Sequence, residues 1–458
     1  MPEPPLLSTQ KMAEKKLACI ILAAGKGKRM HSCVPKVLHK LAGLPAIKWV
    51  INNAVLLEPE KVVVVVGDNM PELEKAASPH ETAIQKNPKG TGHAVKTAIP
   101  NLKGFDGDVL ILLGDMPLLL PETLVKLVQE KQKNPETVLA VLGAEAVDPT
   151  GYGRLVTSSE GFLKKIVEEK DADPEEKSIC LINTGAFCIS AEALSRLIDK
   201  VENKNAQGEF YATDLVELAA SEGGRVTFTL CNDIQEMSGI NSRSDLSLCE
   251  ALLQDRLRRK AMEWGATLLD PTTTYFAHDT KLGRDVLIEP NVVFGPGVDI
   301  ADNVEIRAFS HIEGVKIEKG CCIGPFARLR PGTHLSKNVR IGNFVEIKNT
   351  HMGEGTKANH LSYIGDGTVG RNVNFGAGSI IVNYDGFFKH RTEIGDDVMV
   401  GCNANLISPV KIGKGSFLAA GSTIKDDVPD NALAIARSEN QIKPGWAEKN
   451  RQNKKKAG

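Results

Sequence analysis

A six-residue period in the second half of the chain restricts the fold more than any other feature. From Leu282 to Ile424 an apolar residue recurs at every sixth position, with one residue dropped at three places and an insertion after Ile381. Repeats of this length are typical of a parallel β-helix, in which each repeat forms one side of a coil and its apolar residue points into a shared core. The series is Leu282, Ile288, Phe294, Ile300, Ile306, Ile312, Ile317, Ile323, Leu329, Leu335, Ile341, Ile347, Met352, Ala358, Ile364, Val369, Phe375, Ile381, Ile394, Val400, Leu406, Ile412, Leu418 and Ile424.

The glycines agree with this pattern, because half of them lie in the repeats. Residues 282–424 hold 21 of the 42 glycines of the chain. Most lie directly after the apolar residue, as Gly283 and Gly342 do, or three positions later. We expect these positions to be corners of the coil, where a positive φ angle or a close neighbour excludes a side chain.

The first half of the chain has a different pattern, in which short apolar runs alternate with helical stretches. The runs are continuous, as strands buried on both faces of a parallel sheet require. This alternation predicts a Rossmann-like, doubly wound α/β domain with a nucleotide-sized crevice at the carboxyl ends of its strands. The expected strands are Cys19–Leu22, Val62–Val66, Val109–Leu113 and Val138–Leu142, and two expected helices are Pro121–Lys131 and Ala191–Lys200.

Between the two halves, residues 242–263 have helical spacing, and Ser242 or Ser244 can cap the start of a helix. Such a helix is roughly 33 Å long, which suits a connector better than a catalytic element. We therefore expect a disordered extension over 1–16, the α/β domain over 17–243, a linker helix over 244–264, and the β-helix with a basic tail over 265–458.

Charge and cysteine content exclude several classes of function. Lys and Arg total 56 against 57 Asp and Glu, which argues against a chain that coats nucleic acid or anionic membranes. No apolar run approaches the about 18 residues of a membrane-spanning helix. The nine cysteines are scattered without a CxxC pair, which favours reduced thiols in a cytoplasmic protein. The apolar run Leu17–Ala24 is followed by Lys26, Lys28 and Arg29, where a signal peptide needs small uncharged residues.

A glycine-rich loop follows the first expected strand. Leu22–Met30 matches neither the GxGxxG nor the Walker A pattern, so it offers only backbone N–H groups, with Arg29 and Lys36 as nearby cations. Such groups can hold a triphosphate and neutralise a leaving pyrophosphate. Asp115 lies just past the strand Val109–Leu113, where it serves either as a Mg²⁺ ligand or as a helix cap or turn carboxylate.

Spacing within the repeats aligns four residues along one edge of the predicted β-helix. His360, Ala377, Cys402 and Ala420 each lie two positions after an apolar residue and fall one coil apart, once the dropped residue and the insertion are counted. Coils stack ~4.8 Å apart, so small residues beside His360 leave room for a long, thin ligand. The alternative for His360 is a solvated surface histidine.

Two further features of the repeats suggest a ligand. Arg330 and Lys348 are 18 residues apart, each one position after an apolar residue, which makes them a stacked cationic pair suited to a phosphate. The insertion Val382–Glu393 carries the turn sequence Asn383–Gly386 and is expected to project from the β-helix, within reach of a neighbouring chain.

The motifs of the first half occur in the order found in sugar-1-phosphate nucleotidyltransferases. They are Leu22–Met30, Lys36, Gly90–His93, Gly114–Asp115, Gly151–Arg154, Val167–Asp171, Asn183–Gly185 and Gly239–Asn241. With the hexapeptide repeats behind them, the chain from about 17 to 440 resembles the bacterial bifunctional N-acetylglucosamine-1-phosphate uridylyltransferases/glucosamine-1-phosphate N-acetyltransferases. The resemblance implies that the β-helix is left-handed. It also implies synthesis of UDP-N-acetylglucosamine, a precursor of bacterial peptidoglycan.

The resemblance implies roles for residues of the first half. Attack of the sugar phosphate on the α-phosphorus of UTP would release pyrophosphate, with Mg²⁺ as cofactor. Asp115 and Asn241 would bind Mg²⁺, and Arg29 would be catalytic. The residues expected to bind the nucleotide or sugar are Leu22, Ala23, Ala24, Gly25, Lys36, Gln85, Gly90, Thr91, Leu113, Gly114, Gly153, Glu168, Asn183 and Asn241, with Gln85, Gly90 and Thr91 at the uracil. Leu113 stands where related enzymes often carry Tyr, so only its backbone contact is expected.

For the second half, the resemblance implies an acetyl-CoA-dependent N-acetyltransferase. His360 would be the general base that takes a proton from the glucosamine amine. The residues expected to bind the sugar phosphate are Arg330, Lys348, Tyr363, Asn374, Asn383 and Tyr384. Those expected to contact coenzyme A are Ala377, Cys402, Ala420 and Arg437, with Cys402 in place of a common Ser. Such β-helices form homotrimers that share acetyltransferase sites between chains, so small-molecule substrates and copies of the chain are the expected partners.

Two other functions fit part of the sequence. A nucleotidyltransferase whose β-helix serves only oligomerisation and regulation, as in relatives that make ADP-glucose, leaves the edge at His360 unexplained. A purely structural trimeric scaffold leaves the glycine-rich loop, Asp115 and Asn241 unexplained. The bifunctional enzyme accounts for both halves of the chain.

Overall fold

The computed structural model describes residues 16–456, so the extension expected over residues 1–16 lies outside the described residues except for Lys16. Lys16 is tied to the fold, because its carbonyl oxygen accepts a 2.9 Å hydrogen bond from the backbone N–H of Asp108. The chain divides into two compact units, one ending at Leu257 and the other beginning at Arg258. The division falls within one helix, which lies where the connector was expected.

In the first unit, strands and helices alternate as predicted. The strands are β1 (Leu17–Leu22), β2 (Lys40–Leu41), β3 (Leu44–Pro45), β4 (Lys61–Gly67), β5 (Glu81–Gln85), β6 (Asp108–Leu113), β7 (Thr137–Glu145), β8 (Arg154–Thr157), β9 (Leu163–Val167), β10 (Leu181–Ser190) and β11 (Arg225–Leu230). The helices are α1 (Ala46–Val55), α2 (Pro71–Ala77), α3 (Thr91–Ala98), α4 (Pro121–Gln132), α5 (Pro174–Lys177), α6 (Ala191–Leu197), α7 (Asp214–Ser221) and α8 (Arg243–Glu263), the last of which continues into the second unit. The second predicted helix is α-helical to Leu197 and ends in a 3-10 turn, Ile198–Lys200.

The central sheet of this unit is mixed. Its nine strands include the path β11-β7-β10-β6-β1-β4-β5, with the β8–β9 hairpin attached to β10. The four predicted strands are parallel to one another, as expected, but β10 runs antiparallel between β6 and β7. β10 was not predicted, because Asn183, Thr184 and Gly185 interrupt its apolar residues.

The direction of winding reverses between β1 and β6. From β1 the chain continues to β4 and β5, and it then returns to the other side of β1 with β6. Helices α1, α2 and α4 cover one face of the sheet, and α3, α6 and α7 cover the other. In open α/β sheets, ligands bind at the carboxyl ends of the strands on either side of such a reversal.

The second unit is a parallel β-helix with three faces. Face 1 consists of Thr267–Leu268, Leu287–Ile288, Glu305–Ile306, Cys322–Ile323, Arg340–Asn343, Lys357–His360, Asn374–Phe375, Met399–Val400, Phe417–Leu418 and Leu433–Ala434. Face 2 consists of Lys281–Leu282, Asp299–Ile300, Val315–Ile317, Thr333–Leu335, His351–Met352, Gly367–Val369, Thr392–Ile394 and Val410–Ile412. Face 3 consists of Val293–Phe294, His311–Ile312, Arg328–Leu329, Glu346–Lys348, Tyr363–Gly365, Ile380–Val382, Asn405–Ile407 and Thr423–Ile424.

The residues of the six-residue series form the core of the β-helix, as predicted. All of them are buried except Leu282, which is half-buried. The glycines fall into two classes. A Cβ atom on Gly376 or Gly401, directly after the apolar residue, would lie 2.5 Å from a backbone nitrogen of the next coil. Gly378 and Gly415, three positions after it, have φ angles of 77° and 67°. Directly after the apolar residue, the backbone of the next coil excludes a side chain at Gly376 and Gly401, whereas three positions after it the positive φ favours glycine at Gly378 and Gly415.

Ser242 is the residue that caps α8, one of the two expected. Its Oγ accepts a 3.2 Å hydrogen bond from the Asp245 N–H, and the Asp245 carboxylate accepts one of 2.9 Å from the Ser242 N–H. A last helix, α9 (Trp446–Lys456), contains the basic tail. Within residues 16–456, none of the helices combines the length and apolar character needed to cross a membrane.

A buried ion pair joins the end of α4 to the start of β6. Lys131 Nζ lies 2.6 Å from Asp108 Oδ1, and Gln132 Nε2 donates to Asp108 Oδ2 at 3.0 Å. The Lys131 and Asp108 side chains are 3% and 2% exposed. Burying two charges costs solvation energy, which their attraction offsets only while both are present.

We expect Lys131→Ala to lower the free energy of unfolding of this unit by about 3–5 kcal/mol, because Asp108 is left charged and unpaired in the interior. The double variant Lys131→Met/Asp108→Leu should recover most of that loss. Urea unfolding of the full chain measures both. Lys425→Ala is the control, since its ion pair with Asp426 is exposed. A loss for Lys131→Ala no larger than that of the control would contradict the argument.

Asp214, the first residue of α7, is a half-buried carboxylate among other acids. Burial, followed by the charges of Glu217, Glu168 and Asp171, raises its pKa to about 6. The folded protein thus binds this proton more tightly than the unfolded chain does, in which the pKa of Asp is about 3.9. Asp214 therefore destabilises the fold progressively as the pH rises from about 4 to about 6, and fully above that.

We expect Asp214→Asn to raise the unfolding temperature by about 2–4 °C at pH 8 and to leave it nearly unchanged at pH 4, where the native carboxyl is protonated. Thermal unfolding as a function of pH measures this difference. Glu192→Gln, which changes an exposed acid, controls for the loss of one negative charge. A shift of equal size at both pH values would show that Asp214 acts through packing rather than through its charge.

Candidate functional sites

The loops after β1 and β6 meet at the crevice of the first unit. The backbone N–H of Gly114 donates to the Leu22 carbonyl oxygen at 2.9 Å. A Cβ atom on Gly114 would lie 2.8 Å from Ile47 Cδ1 and 3.1 Å from that oxygen, so the approach requires glycine. In the glycine-rich loop, Gly27 has a φ angle of 60°, and its Cβ would lie 2.7 Å from Lys36 Cβ. The glycines thus bring the loop backbone and the Lys36 side chain to the end of β6.

Lys36 contacts both residues expected to bind a metal ion. Its ammonium group forms an ion pair with the Asp115 carboxylate and lies 3.1 Å from Asn241 Oδ1. Asp115 and Asn241 are brought together because the Ile240 N–H donates to the Asp115 carbonyl oxygen at 2.9 Å. Two oxygen atoms that already contact one cation fit Mg²⁺, which takes few protein ligands and completes its shell with water and substrate phosphates.

A pocket of about 460 Å³ opens beside this cluster. It brings together seven of the sixteen residues expected to bind the nucleotide, the sugar or the metal or to be catalytic in uridylyl transfer. Those that line it are Arg29, Leu113, Asp115, Gly153, Glu168, Asn183 and Asn241. Further lining residues, to which the sequence analysis gave no individual role, are Met116, Thr150, Gly151, Tyr152, Thr184, Gly185, Met237, Gly239 and Asp245.

Backbone and side-chain bonds fix the residues at one end of this pocket. The Asn183 N–H donates to the Gly153 carbonyl oxygen at 2.8 Å, and Thr213 Oγ1 donates to Glu168 Oε1 at 3.3 Å. Burial raises the pKa of Glu168, the Thr213 bond opposes that rise, and the charge of Asp171 adds to it. A carboxylate with this environment accepts hydrogen bonds from neutral donors such as sugar hydroxyl groups.

Arg154 has a structural role that the sequence analysis missed. Its side chain is 2% exposed, contacts the Tyr152 carbonyl oxygen, and lies 2.6 Å from Glu169 Oε2. These contacts tie the start of β8 to the segment after β9. Gly153, just before β8, and Glu168, just after β9, both line the pocket. The motif contained Arg154, but nothing in the sequence indicates that a charged residue beside a glycine turn is buried.

The residues expected at the uracil lie at the end of β5 and the start of α3 and do not line this pocket. Gln85 is 3% exposed, and its Nε2 donates to the Gly90 carbonyl oxygen at 3.3 Å and to His93 Nδ1 at 2.8 Å. Gly90 has a φ angle of 104°, which favours glycine. Thr91 Oγ1 accepts a 2.9 Å hydrogen bond from the Ala212 N–H. The sequence analysis gave His93 no role of its own.

In the second unit, the predicted column of four residues is present at the edge of face 1, where its strands end. Strand pairing places His360, Ala377, Cys402 and Ala420 in successive coils. Ala377 is half-buried, and the other three are exposed. The edge beside His360 is therefore accessible and narrow, as the spacing indicated.

Asn343, one coil before His360, orients the imidazole. Its Oδ1 lies 3.1 Å from His360 Nδ1. Because an amide oxygen can only accept, this contact favours a proton on Nδ1 and leaves the Nε2 lone pair free to accept one. The sequence analysis missed Asn343, although its spacing of 17 residues from His360 follows the same coil arithmetic.

Arg330 and Lys348 stack on face 3, as predicted, and each lies near a carboxylate. Arg330 Nη1 donates to Glu346 Oε1 at 2.7 Å, and Lys348 Nζ lies 4.0 Å from Asp366 Oδ2. Asp366 is buried and accepts a 2.5 Å hydrogen bond from Asn383 Nδ2. This carboxylate, which the sequence analysis missed, thus connects a cation of face 3 to the insertion.

The insertion forms a hairpin that begins beside face 3. Asn383 Nδ2 lies 3.3 Å from the Tyr363 hydroxyl group. Tyr384 pairs with Lys389 across the hairpin, and the Lys389 ammonium lies 4.7 Å from the centre of the Tyr384 ring. Asp385 Oδ1 closes the turn by accepting two backbone hydrogen bonds of 2.7 Å.

The residues expected at the acetyltransferase site fall into two groups on different faces. The first group consists of His360 and Asn374 on the strands of face 1 and of Ala377, Cys402, Ala420 and Arg437 just after those strands; Arg437 Nη1 donates to the Ala420 carbonyl oxygen at 2.7 Å. The face 3 group is Arg330, Lys348 and Tyr363, followed in the chain by Asn383 and Tyr384.

Two domain families match the chain, one in each half. Residues 19–176 match the MobA-like NTP transferase domain. Residues 279–314 and 391–426 match the bacterial transferase hexapeptide repeats. The second match agrees with the three-faced solenoid, which is a left-handed β-helix.

Several relatives match over nearly their whole length, and each is named bifunctional protein GlmU. The protein from Paramagnetospirillum magneticum is 48% identical over 438 residues, which cover 96% of this chain and 97% of the relative. The protein from Zymomonas mobilis is 47% identical over 448 residues, 97% and 99% of the two chains. The protein from Sphingopyxis alaskensis is 48% identical over 434 residues, 94% and 96%. With this similarity in both units, the chain belongs to the GlmU family of bifunctional proteins.

Proposed function

We propose that this protein catalyses two successive steps of UDP-N-acetylglucosamine synthesis. The first step is acetyl transfer from acetyl-CoA to glucosamine-1-phosphate, and the second is UMP transfer from UTP to N-acetylglucosamine-1-phosphate. The observation that carries this function is that each unit has a polar site of its own, one built around Lys36, Asp115 and Asn241 and the other around His360. A purely structural scaffold needs neither polar site, and a nucleotidyltransferase with a regulatory β-helix needs only the first.

We assign uridylyl transfer to residues 17–243 and acetyl transfer to residues 265–458, with residues 244–264 as the linker helix. We also place the protein in the cytoplasm. All nine cysteines are free thiols, as is usual in a reducing compartment.

For uridylyl transfer, UTP would lie along the loop after β1, with its uracil at Gln85. Lys36 and Arg29 would hold the phosphates and stabilise the charge that develops on the leaving pyrophosphate. Gly153, Glu168 and Asn183 would orient the sugar so that its phosphate oxygen lies in line with the α-phosphorus. Mg²⁺ held by Asp115 and Asn241 would supply further neutralisation of phosphate charge.

For acetyl transfer, the Nε2 lone pair of His360 would accept a proton from the glucosamine amine. The nitrogen would then attack the thioester carbonyl carbon, and the coenzyme A thiolate would leave. Arg330 and Lys348 would bind the phosphate of the sugar. The small residues Ala377 and Ala420 would leave space for coenzyme A along the column. The other residues assigned to this site are Tyr363, Asn374, Asn383 and Tyr384 for the sugar phosphate, and Cys402 and Arg437 for coenzyme A.

A homotrimer with sites between chains would join the two groups of acetyltransferase residues. The base lies on face 1 and the cationic pair on face 3 of the same chain. In a ring of three copies, face 1 of one chain can lie against face 3 of the next, so that faces 1 and 3 of every chain are each used once. Each site would then contain His360 from one chain and Arg330 and Lys348 from its neighbour.

We expect His360→Ala to lower acetyl transfer by about 10²–10⁴-fold, because the general base is lost, and to leave uridylyl transfer unchanged. Asp115→Ala should show the opposite pattern, with uridylyl transfer lowered by roughly 10²–10³-fold. Separate assays of the two half-reactions on the purified chain measure both effects. His351→Ala and Asp106→Ala are matched controls at exposed positions.

Retention of acetyl transfer by His360→Ala would contradict the assignment of the base. Absence of acetyl transfer in the unmodified chain would favour a nucleotidyltransferase with a regulatory β-helix. Loss of both activities in Asp115→Ala would indicate a folding defect instead of a lost ligand.

Subunit complementation tests the shared site. We expect His360→Ala and Lys348→Ala chains, each inactive in acetyl transfer alone, to recover about a quarter of the native rate when refolded together in equal amounts. Half of the chains would then carry an intact His360 and the other half an intact Lys348. Because neighbours in the trimer would pair at random, one site in four would contain both. No recovery in mixed trimers, verified with differently tagged chains, would show that each site lies within one chain.

A further inference from the structure

The Gln85 side chain has a single orientation in the structure. It is 3% exposed at the end of β5. Its Nε2 donates one hydrogen to the Gly90 carbonyl oxygen at 3.3 Å and the other to His93 Nδ1 at 2.8 Å. A primary amide has only two N–H hydrogens. Both are used by the protein, so Oε1, an acceptor, is the atom that remains for a ligand.

The bond to His93 is the shorter of the two and requires a particular state of the imidazole. Nδ1 can accept only if the ring is neutral and carries its proton on Nε2. Burial lowers the pKa of His93, and the charges of Lys89 and Lys96 lower it further, so the neutral ring is favoured at pH 7. A protonated ring would instead point an N–H at the amide N–H group.

The backbone around His93 holds the ring in place. His93 lies in the first turn of α3, where the neighbouring Gly92 N–H donates to the Phe210 carbonyl oxygen at 2.8 Å. Thr91 Oγ1 accepts from the Ala212 N–H at 2.9 Å. The start of the helix, just before His93, is therefore anchored to a separate loop, which fixes the backbone that carries the imidazole.

We propose that His93 is a positioning residue that sets the base selectivity of the nucleotide site by fixing the amide of Gln85 with its oxygen toward the base. This inference rests on the proposed function, in which Gln85 contacts uracil. Uracil has an N–H at ring position 3, which can donate to Oε1. Cytosine has a bare acceptor nitrogen at that position, which would face the amide oxygen without a proton between them.

His93 fixes the orientation of the Gln85 amide more firmly than the Gly90 carbonyl oxygen alone can. Without His93, the single bond of 3.3 Å to the Gly90 oxygen is long and leaves the amide free to rotate. A rotated amide would present its N–H group and would suit the acceptor of cytosine. A site built to satisfy one hydrogen-bond pattern discriminates strongly only while that pattern is fixed.

The test measures kcat and KM for UTP and CTP in the uridylyl half-reaction of the full chain. His93→Leu removes the acceptor with a side chain of similar size, and His93→Asn restores an acceptor near the position of Nδ1. We expect His93→Leu to reduce the preference for UTP over CTP by about 10- to 100-fold, mainly through KM, with kcat for UTP changed by less than about threefold. His93→Asn should stay within about threefold of the native preference.

Gln85→Ala provides the reference for the same assay. It should lose the preference for UTP, and adding His93→Leu to it should cause no further loss, because the two residues act through one bond. In every variant, acetyl transfer reports whether the second unit remains folded and assembled, and kcat for UTP reports whether the first unit does.

Equal losses for UTP and CTP in His93→Leu would overturn the inference and leave His93 a structural residue. So would a further loss of preference when His93→Leu is added to Gln85→Ala. If Gln85→Ala loses the preference while His93→Leu keeps it, the inference fails and the proposed function stands. If Gln85→Ala keeps the preference, or the native chain does not transfer UMP, the proposed function of this site fails with it.

Discussion

Parallel pairing of strands in register is the constraint on which both units depend. In the first unit it places the carboxyl ends of β1 and β6 side by side, so the loop from Leu22 and the loop that carries Asp115 meet at one crevice. In the second unit the same pairing stacks one coil on the next. Residues a coil apart in sequence, such as Cys402 and Ala420, thereby become neighbours in space.

This constraint decides how much of each site can be predicted. In the β-helix, one period converts sequence spacing directly into position, which is why the column at His360 could be read from the sequence. The same spacing places Asn343 one coil before His360. Its role could not be inferred, because Asn residues occur at surface positions for many structural reasons. Face assignment also follows from the period, but assembly does not, since it depends on contacts with another chain.

In the α/β unit the predictions were limited by long-range contacts. The strands and the carboxyl-end edge of the sheet follow from local apolar runs, whereas the antiparallel direction of β10 appears only in its pairing with β6 and β7. Lys36 meets Asn241 across 205 residues of sequence. Leu120, at the start of α4, donates its N–H to the buried Glu236 at 2.9 Å, another contact between distant segments. No periodicity links such pairs, so only the folded chain shows them.

Both units hold an amide side chain of a candidate site through a second polar residue that was not itself assigned to the site. His93 accepts from Gln85, and Asp366 accepts from Asn383. In each case hydrogen bonds engage the amide N–H group, to His93 and Gly90 for Gln85 and to Asp366 and Tyr363 for Asn383. An amide held in one orientation distinguishes a donor from an acceptor, whereas a freely rotating amide accepts either. In the proposed sites, selectivity for the groups on a ligand would therefore depend on these second residues as much as on those that touch it.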